Sequence, residues 1–145
     1  MSRIDFYDDD YRGSEEVDDA RSFVQVGVVL QGIADWITLC ESPIELSLAI
    51  SLAPILSDDV QLIAQYPLQH YRMDFAIIAD GRPLLFIECD GQAFHSTPAQ
   101  LANDAAKDRA AARVRIPLLR LTGSAIFRDA SQCARDIAAM VEGLS

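Results

Sequence analysis

Apolar residues recur in two different periods along this chain, and the changes of period divide it into elements. Ser42 at the N-cap, Pro43 at N1 and Glu45 at N3 form a capping box, which opens a helix running to about Leu56. Ser57-Asp58-Asp59 reads as a turn, and Val60 to Tyr66 as a short strand stopped by Pro67. Tyr71 to Ala79 and Leu84 to Asp90 are β-rich runs flanking Asp80-Gly81-Arg82, a hairpin signal. Thr97-Pro98-Ala99-Gln100 repeats the capping-box logic and opens an Ala-rich helix to about Arg113. Ile116 to Leu121 is a buried strand, and Asp129 to Leu144 a final amphipathic helix. Upstream, residues 20–39 are apolar and equivocal between strand and helix, with helix favoured after Gly32. The order α-β-β-β-α-β-α predicts an α/β (α+β) fold: a β-meander, a crossover helix and a further strand, giving a mixed sheet flanked by helices.

The hairpin brings carboxylates together. If its turn centres on Gly81, Asp74 faces Glu88, with Cβ atoms roughly 4.5–5.5 Å apart. Asp90, two residues on, shares the face of Glu88. Three acids on an otherwise apolar sheet repel one another, and at least one should have a raised pKa. Hard oxygen ligands converging from two strands suit Mg²⁺ or Mn²⁺. The competing reading solvates these acids at strand ends or pairs them with Arg72 and Arg82, and a one-residue register slip would separate them.

Nearby polar residues add chemistry. Gly91 allows a sharp exit from the strand, and His95 on the following loop has the pKa range of a general acid or base. Asp104, Lys107 and Asp108 share one helix face, and Lys107 is the only lysine in the protein. Spacing alone makes Lys107 an intrahelical partner of Asp104, and the capping box alone accounts for Glu45.

Composition bounds the picture. The chain has 145 residues, half of them apolar, enough for one domain with a sizeable core and no staples. Three unpaired, widely spaced cysteines fit a reducing cytoplasm. No secretory signal or membrane span is legible. The formal net charge is −10, which taken whole argues against nucleic acid. Yet residues 1–20 alone carry eight acids against two bases, an acidic and disordered tail, leaving 21–145 as the single domain. Residues 98–128 are net basic, through Lys107, Arg109, Arg113, Arg115, Arg120 and Arg128 against Asp104 and Asp108.

Taken in order, Ser42-Pro43-Ile44-Glu45, Gln65-Tyr66-Pro67-Leu68, Tyr71-Arg72-Met73-Asp74-Phe75, Ile87-Glu88-Cys89-Asp90-Gly91 with His95, Asp104 through Arg109, and Leu118-Leu119-Arg120-Leu121 resemble the Vsr-like branch of the PD-(D/E)XK nuclease superfamily. The match covers about residues 42–122. The resemblance implies a restriction-endonuclease-like core and a metal-dependent DNA endonuclease, with RNA as the other substrate open to it. Asp74 would be the metal-binding aspartate, beside Glu88 or the backbone carbonyl of Cys89. His95 would be the general base or would position the attacking water, with Glu45 and Asp104 as outer acids and Gln65 a polar neighbour. The superfamily lysine two residues after the second acid is Asp90 here, so either His95 or a lysine migrated to Lys107 activates the nucleophile. Arg109, Arg113, Arg115 and Arg120 would anchor flanking phosphates; their plain alternative is a solubilising helix face. A second copy or a separate targeting partner is expected for cutting both strands, and an inactive nucleic-acid- or partner-binding module is the alternative function.

Overall fold

The computed structural model describes residues 39–90 and 97–145. The predicted acidic tail, the equivocal stretch before Leu39, Gly91 and His95 lie outside the described residues.

Helix α1 (Pro43–Leu52) starts where the predicted capping box places it, with the Ser42 side chain accepting from the Glu45 amide at 3.2 Å. The reciprocal half does not form, because the Glu45 carboxylate accepts from the Glu41 amide and the Ser42 hydroxyl instead of the Ser42 amide. Its buried positions, Glu45, Leu48, Ala49 and Leu52, follow the i, i+3, i+4, i+7 stripe of one helix face. The α-helix ends sooner than the apolar run suggests. Pro54 has no N–H to give, and the chain continues as a 3₁₀ turn over Ala53–Ile55.

Four strands follow in the sheet order β1-β2-β3-β4: β1 (Val60–Leu68), β2 (Tyr71–Ala79), β3 (Arg82–Asp90) and β4 (Leu118–Thr122). The first two pairings are antiparallel and the third is parallel, the crossover being helix α2 (Pro98–Val114). The predicted order of elements is therefore the observed one. Pro67 does not stop β1, which runs on to Leu68. Among the described residues β1 is an edge strand, where a missing N–H need not interrupt a ladder.

The β2–β3 hairpin turns on two residues, Asp80 (φ 52°) and Gly81 (φ 76°), the positive-φ pair of a tight turn whose twist matches its strands. Ala79 faces Arg82 and Ile78 faces Pro83, but Ile77 faces Leu85. Leu84 is thus the extra residue of a β-bulge, and beyond it the register becomes Ala76↔Phe86 and Phe75↔Ile87.

Helix α3 (Gly123–Leu144) begins directly after β4, with Thr122 accepting from the Ala125 amide. It breaks at Asp129 (φ −160°, ψ 82°), whose carboxylate caps the second segment by accepting from Gln132 N at 3.0 Å. Asp129 is therefore a helix start, as the sequence suggests, preceded by a short first segment that the pattern does not reveal.

The main core lies between one sheet face and helices α1 and α3, built on Leu48, Leu52, Phe75, Ile77, Leu85, Ile87, Ile126 and Ile137. On the other face, Met73, Ala76 and Phe86 are covered by Ala111 of α2, and Tyr66 stacks obliquely on Phe86 at 5.7 Å. Among the described residues no helix is long and apolar enough to cross a membrane.

Candidate functional site

The sheet changes character at one level. In the β1–β2 ladder Ala64 faces Phe75 and Tyr66 faces Met73, but no pair joins Gln65 to Asp74 between them. Gln65 has a left-handed backbone, φ 54°. Ala64 and Phe75 belong to the core under α1 and α3, whereas Tyr66 and Met73 belong to the cluster under α2. Side-chain alternation therefore skips a beat at Gln65 and Asp74, and both can leave the sheet plane.

On the other side of β2, the paired register with β3 ends at Phe75↔Ile87. Side chains take over from the backbone there. Asp74 N donates to Glu88 Oε2 at 2.7 Å, and Cys89 N donates to Asp74 Oδ2 at 2.7 Å. Each carboxylate thus stands where a ladder hydrogen bond would have been. The expected Asp74–Glu88 juxtaposition is present.

Two helices complete the cluster. From α2, Lys107 Nζ donates to Glu88 Oε1 at 2.7 Å, with side chains only 13% and 8% exposed. From α1 comes Glu45, 6% exposed. Its Oε1 accepts from Glu41 N and Gln65 Nε2, both at 3.2 Å, and its Oε2 accepts from Ser42 Oγ at 3.3 Å. Glu45 is thus more than a cap, because it reaches across to β1.

Burial pushes the Asp74 carboxyl up to about 8, and the negative charges of Glu45 and Glu88 add to the shift, against the Cys89 hydrogen bond and the Lys107 charge. Burial likewise raises Glu45, with the charges of Glu41 and Glu88 adding to it. The thiols of Cys40 and Cys89 are also pushed up, by burial first and by the surrounding acids second. Cys40 is the neighbour the sequence did not reveal, since nothing in its spacing from Asp74 signals proximity.

Lys107 does not pair with Asp104, contrary to the helix spacing. Asp104 and Asp108 instead hold Arg120 of β4: Arg120 donates to the Asp104 carbonyl and to Asp108 Oδ1, each at 3.0 Å, and lies 3.6 Å from Asp104 Oδ1. Arg120 thus fastens α2 to β4. Arg113 donates to Gln69 Oε1 at 3.2 Å, while Arg109 and Arg115 are exposed. Asp90 faces Thr122 at the end of the β3–β4 pairing and is half-buried. Among the described residues no three His, Cys, Asp or Glu side chains are grouped to hold an ion by themselves.

A restriction-endonuclease-like family model, REase_MTES_1575, matches residues 52–141, well over half of the chain and including Asp74, Glu88 and Lys107. No curated protein and no solved structure gives a significant match.

Proposed function

The chain belongs to the restriction-endonuclease-like family REase_MTES_1575, and from that premise we propose that it is a Mg²⁺- or Mn²⁺-dependent endonuclease that hydrolyses phosphodiester bonds of DNA. The observation that carries the reading is the trio Asp74, Glu88 and Lys107, joined by the Asp74 N–Glu88 hydrogen bond and the Lys107–Glu88 ion pair, with Cys89 N donating to Asp74, at the point where the β2–β3 pairing ends.

The donor set fits such an ion. Asp74 is a half-buried carboxylate whose pKa is raised first by burial and then by the charges of Glu45 and Glu88, and a nearby cation favours its ionised form against both. Mg²⁺ keeps several waters and takes only one or two carboxylates, so Asp74, Glu88 and the Cys89 carbonyl suffice as protein ligands. When bound, the ion supplies charge neutralisation at the phosphoryl oxygens and acidifies water.

The remaining steps fall to side chains. Lys107, fixed by Glu88, presents an immobile ammonium to the approaching phosphate and to the charge that develops on it. Asp74, once ionised, orients the attacking water. His95 is the candidate proton acceptor, five residues along the sequence from Asp90 at the end of β3. Arg109, Arg113 and Arg115 would hold flanking phosphates, and Arg120 would act through its grip on α2. Asp90 in the usual lysine position, together with His95, supports placement in the Vsr-like branch; Lys107 against Glu88 supports a lysine that has migrated to the helix.

Nicking of supercoiled plasmid in Mg²⁺ or Mn²⁺ tests the reading. Wild type should nick, and Asp74→Ala and Lys107→Ala should each lose at least about a hundredfold in rate. A wild type inactive on DNA and RNA under both metals would leave the fold as a binding module.

A further inference from the structure

Gln65 has the least ordinary backbone in the sheet. A non-glycine residue inside a strand rarely takes a positive φ, and such a conformation persists only where its surroundings enforce it. The conformation coincides with the missing Gln65–Asp74 pair and with the switch of faces between Ala64 and Tyr66. With the backbone turned in this way, the Gln65 side-chain amide Nε2 donates to Glu45 Oε1 at 3.2 Å. The other two donors to Glu45, Glu41 N and Ser42 Oγ, come from the two residues immediately before α1. Gln65 is therefore the donor that fixes Glu45 relative to the sheet, and the sheet carries Asp74.

From this geometry we infer that Gln65 is a positioning residue for the cation site: its left-handed backbone holds the Glu45 carboxylate against the Asp74 end of β2, completing the negative field that binds the ion. The inference deepens the metal-site reading above and rests on it. Glu45 acts at a distance here, as an outer carboxylate rather than a ligand. Outer partners of this kind are commonly worth ten- to a hundredfold in metal affinity.

Calorimetric Mn²⁺ titration of the full chain, without nucleic acid, tests it. Gln65→Gly and Gln65→Asn both suit a positive φ, but the first lacks the amide and the second carries it one methylene short. Each should bind Mn²⁺ about tenfold more weakly than wild type. Their metal-free melting temperatures should stay within a few degrees, because relief of backbone strain offsets the lost hydrogen bond. In a Glu45→Ala background, Gln65→Gly should cause no further loss, since the amide then has nothing to hold. Unchanged Mn²⁺ affinity in both Gln65 variants, with wild type binding normally, overturns this inference alone. Absence of Mn²⁺ binding in the wild type overturns the metal site together with it.

Discussion

Lys107 and Glu88 stand nineteen residues apart in the chain and meet at 2.7 Å, nearly shielded from water. The pair joins α2 to β3 on a face otherwise held by small apolar contacts around Ala111. Removing the ammonium strands a buried carboxylate that already accepts the Asp74 amide. Lys107→Met should therefore lower unfolding free energy by about 2 kcal/mol in chelator, measured by urea denaturation. Mn²⁺ should restore part of that loss, because the cation compensates the stranded charge.

Asp74 predicts a pH dependence of definite sign. Its folded pKa of about 8 lies above the usual aspartate range, so the folded protein holds a proton that the unfolded chain releases. Stability from this proton is complete below about pH 4 and declines as pH rises to about 8, by on the order of 1 kcal/mol per unit at most. Asp74→Asn should flatten that slope in melts between pH 5 and 8. A cation must also displace the proton. Calorimetry at pH 7 in buffers of different ionisation enthalpy should show release of about one proton per Mn²⁺ bound.

The basic residues should separate into two classes. Arg120 is committed to Asp104 and Asp108, so Arg120→Ala should cost about 1 kcal/mol of stability. Arg109 is exposed, and Arg109→Ala should leave melting unchanged while reducing the salt slope of DNA binding by about 1. Fluorescence anisotropy across a salt series, alongside thermal melts, distinguishes the two.

Asp129 offers a control remote in role from the carboxylates. Its carboxylate caps the second segment of α3, and Asp129→Ala should destabilise by about 1 kcal/mol. Mn²⁺ affinity should be unaffected, which the same calorimetry checks.

What the sequence made legible was local. Cap signals marked the starts of α1 and α2, because their hydrogen bonds span only three residues, although only α2 closes the full reciprocal box. The Asp74–Glu88 juxtaposition also followed from counting, although the count worked for an unforeseen reason. The turn is centred between Asp80 and Gly81, one position off in register, and the Leu84 bulge restores the offset before the carboxylates. Long-range partners were not legible. Lys107 sits three residues from Asp104, yet its buried partner is Glu88, and Arg120 claims Asp104 instead. Helix spacing says which side chains can meet, but the sheet beneath decides which do. The Glu45–Gln65 contact was hidden likewise, since a positive φ at glutamine leaves no mark in composition.

The Leu84 bulge has a further consequence. It decouples the acidic cluster from the exact length of the hairpin: deleting Leu84 would leave Ile78↔Pro83 and Ile77↔Leu85 as consecutive rungs of a regular ladder, so Glu88 would keep its place opposite Asp74 and beside Lys107. A second deletion has no spare residue to draw on, and would slip Glu88 by one position and turn it to the opposite face, away from Lys107 and Asp74. The hairpin thus carries one residue of slack, and shortening it by two, not by one, is a way to extinguish the site while leaving every one of its side chains in the sequence.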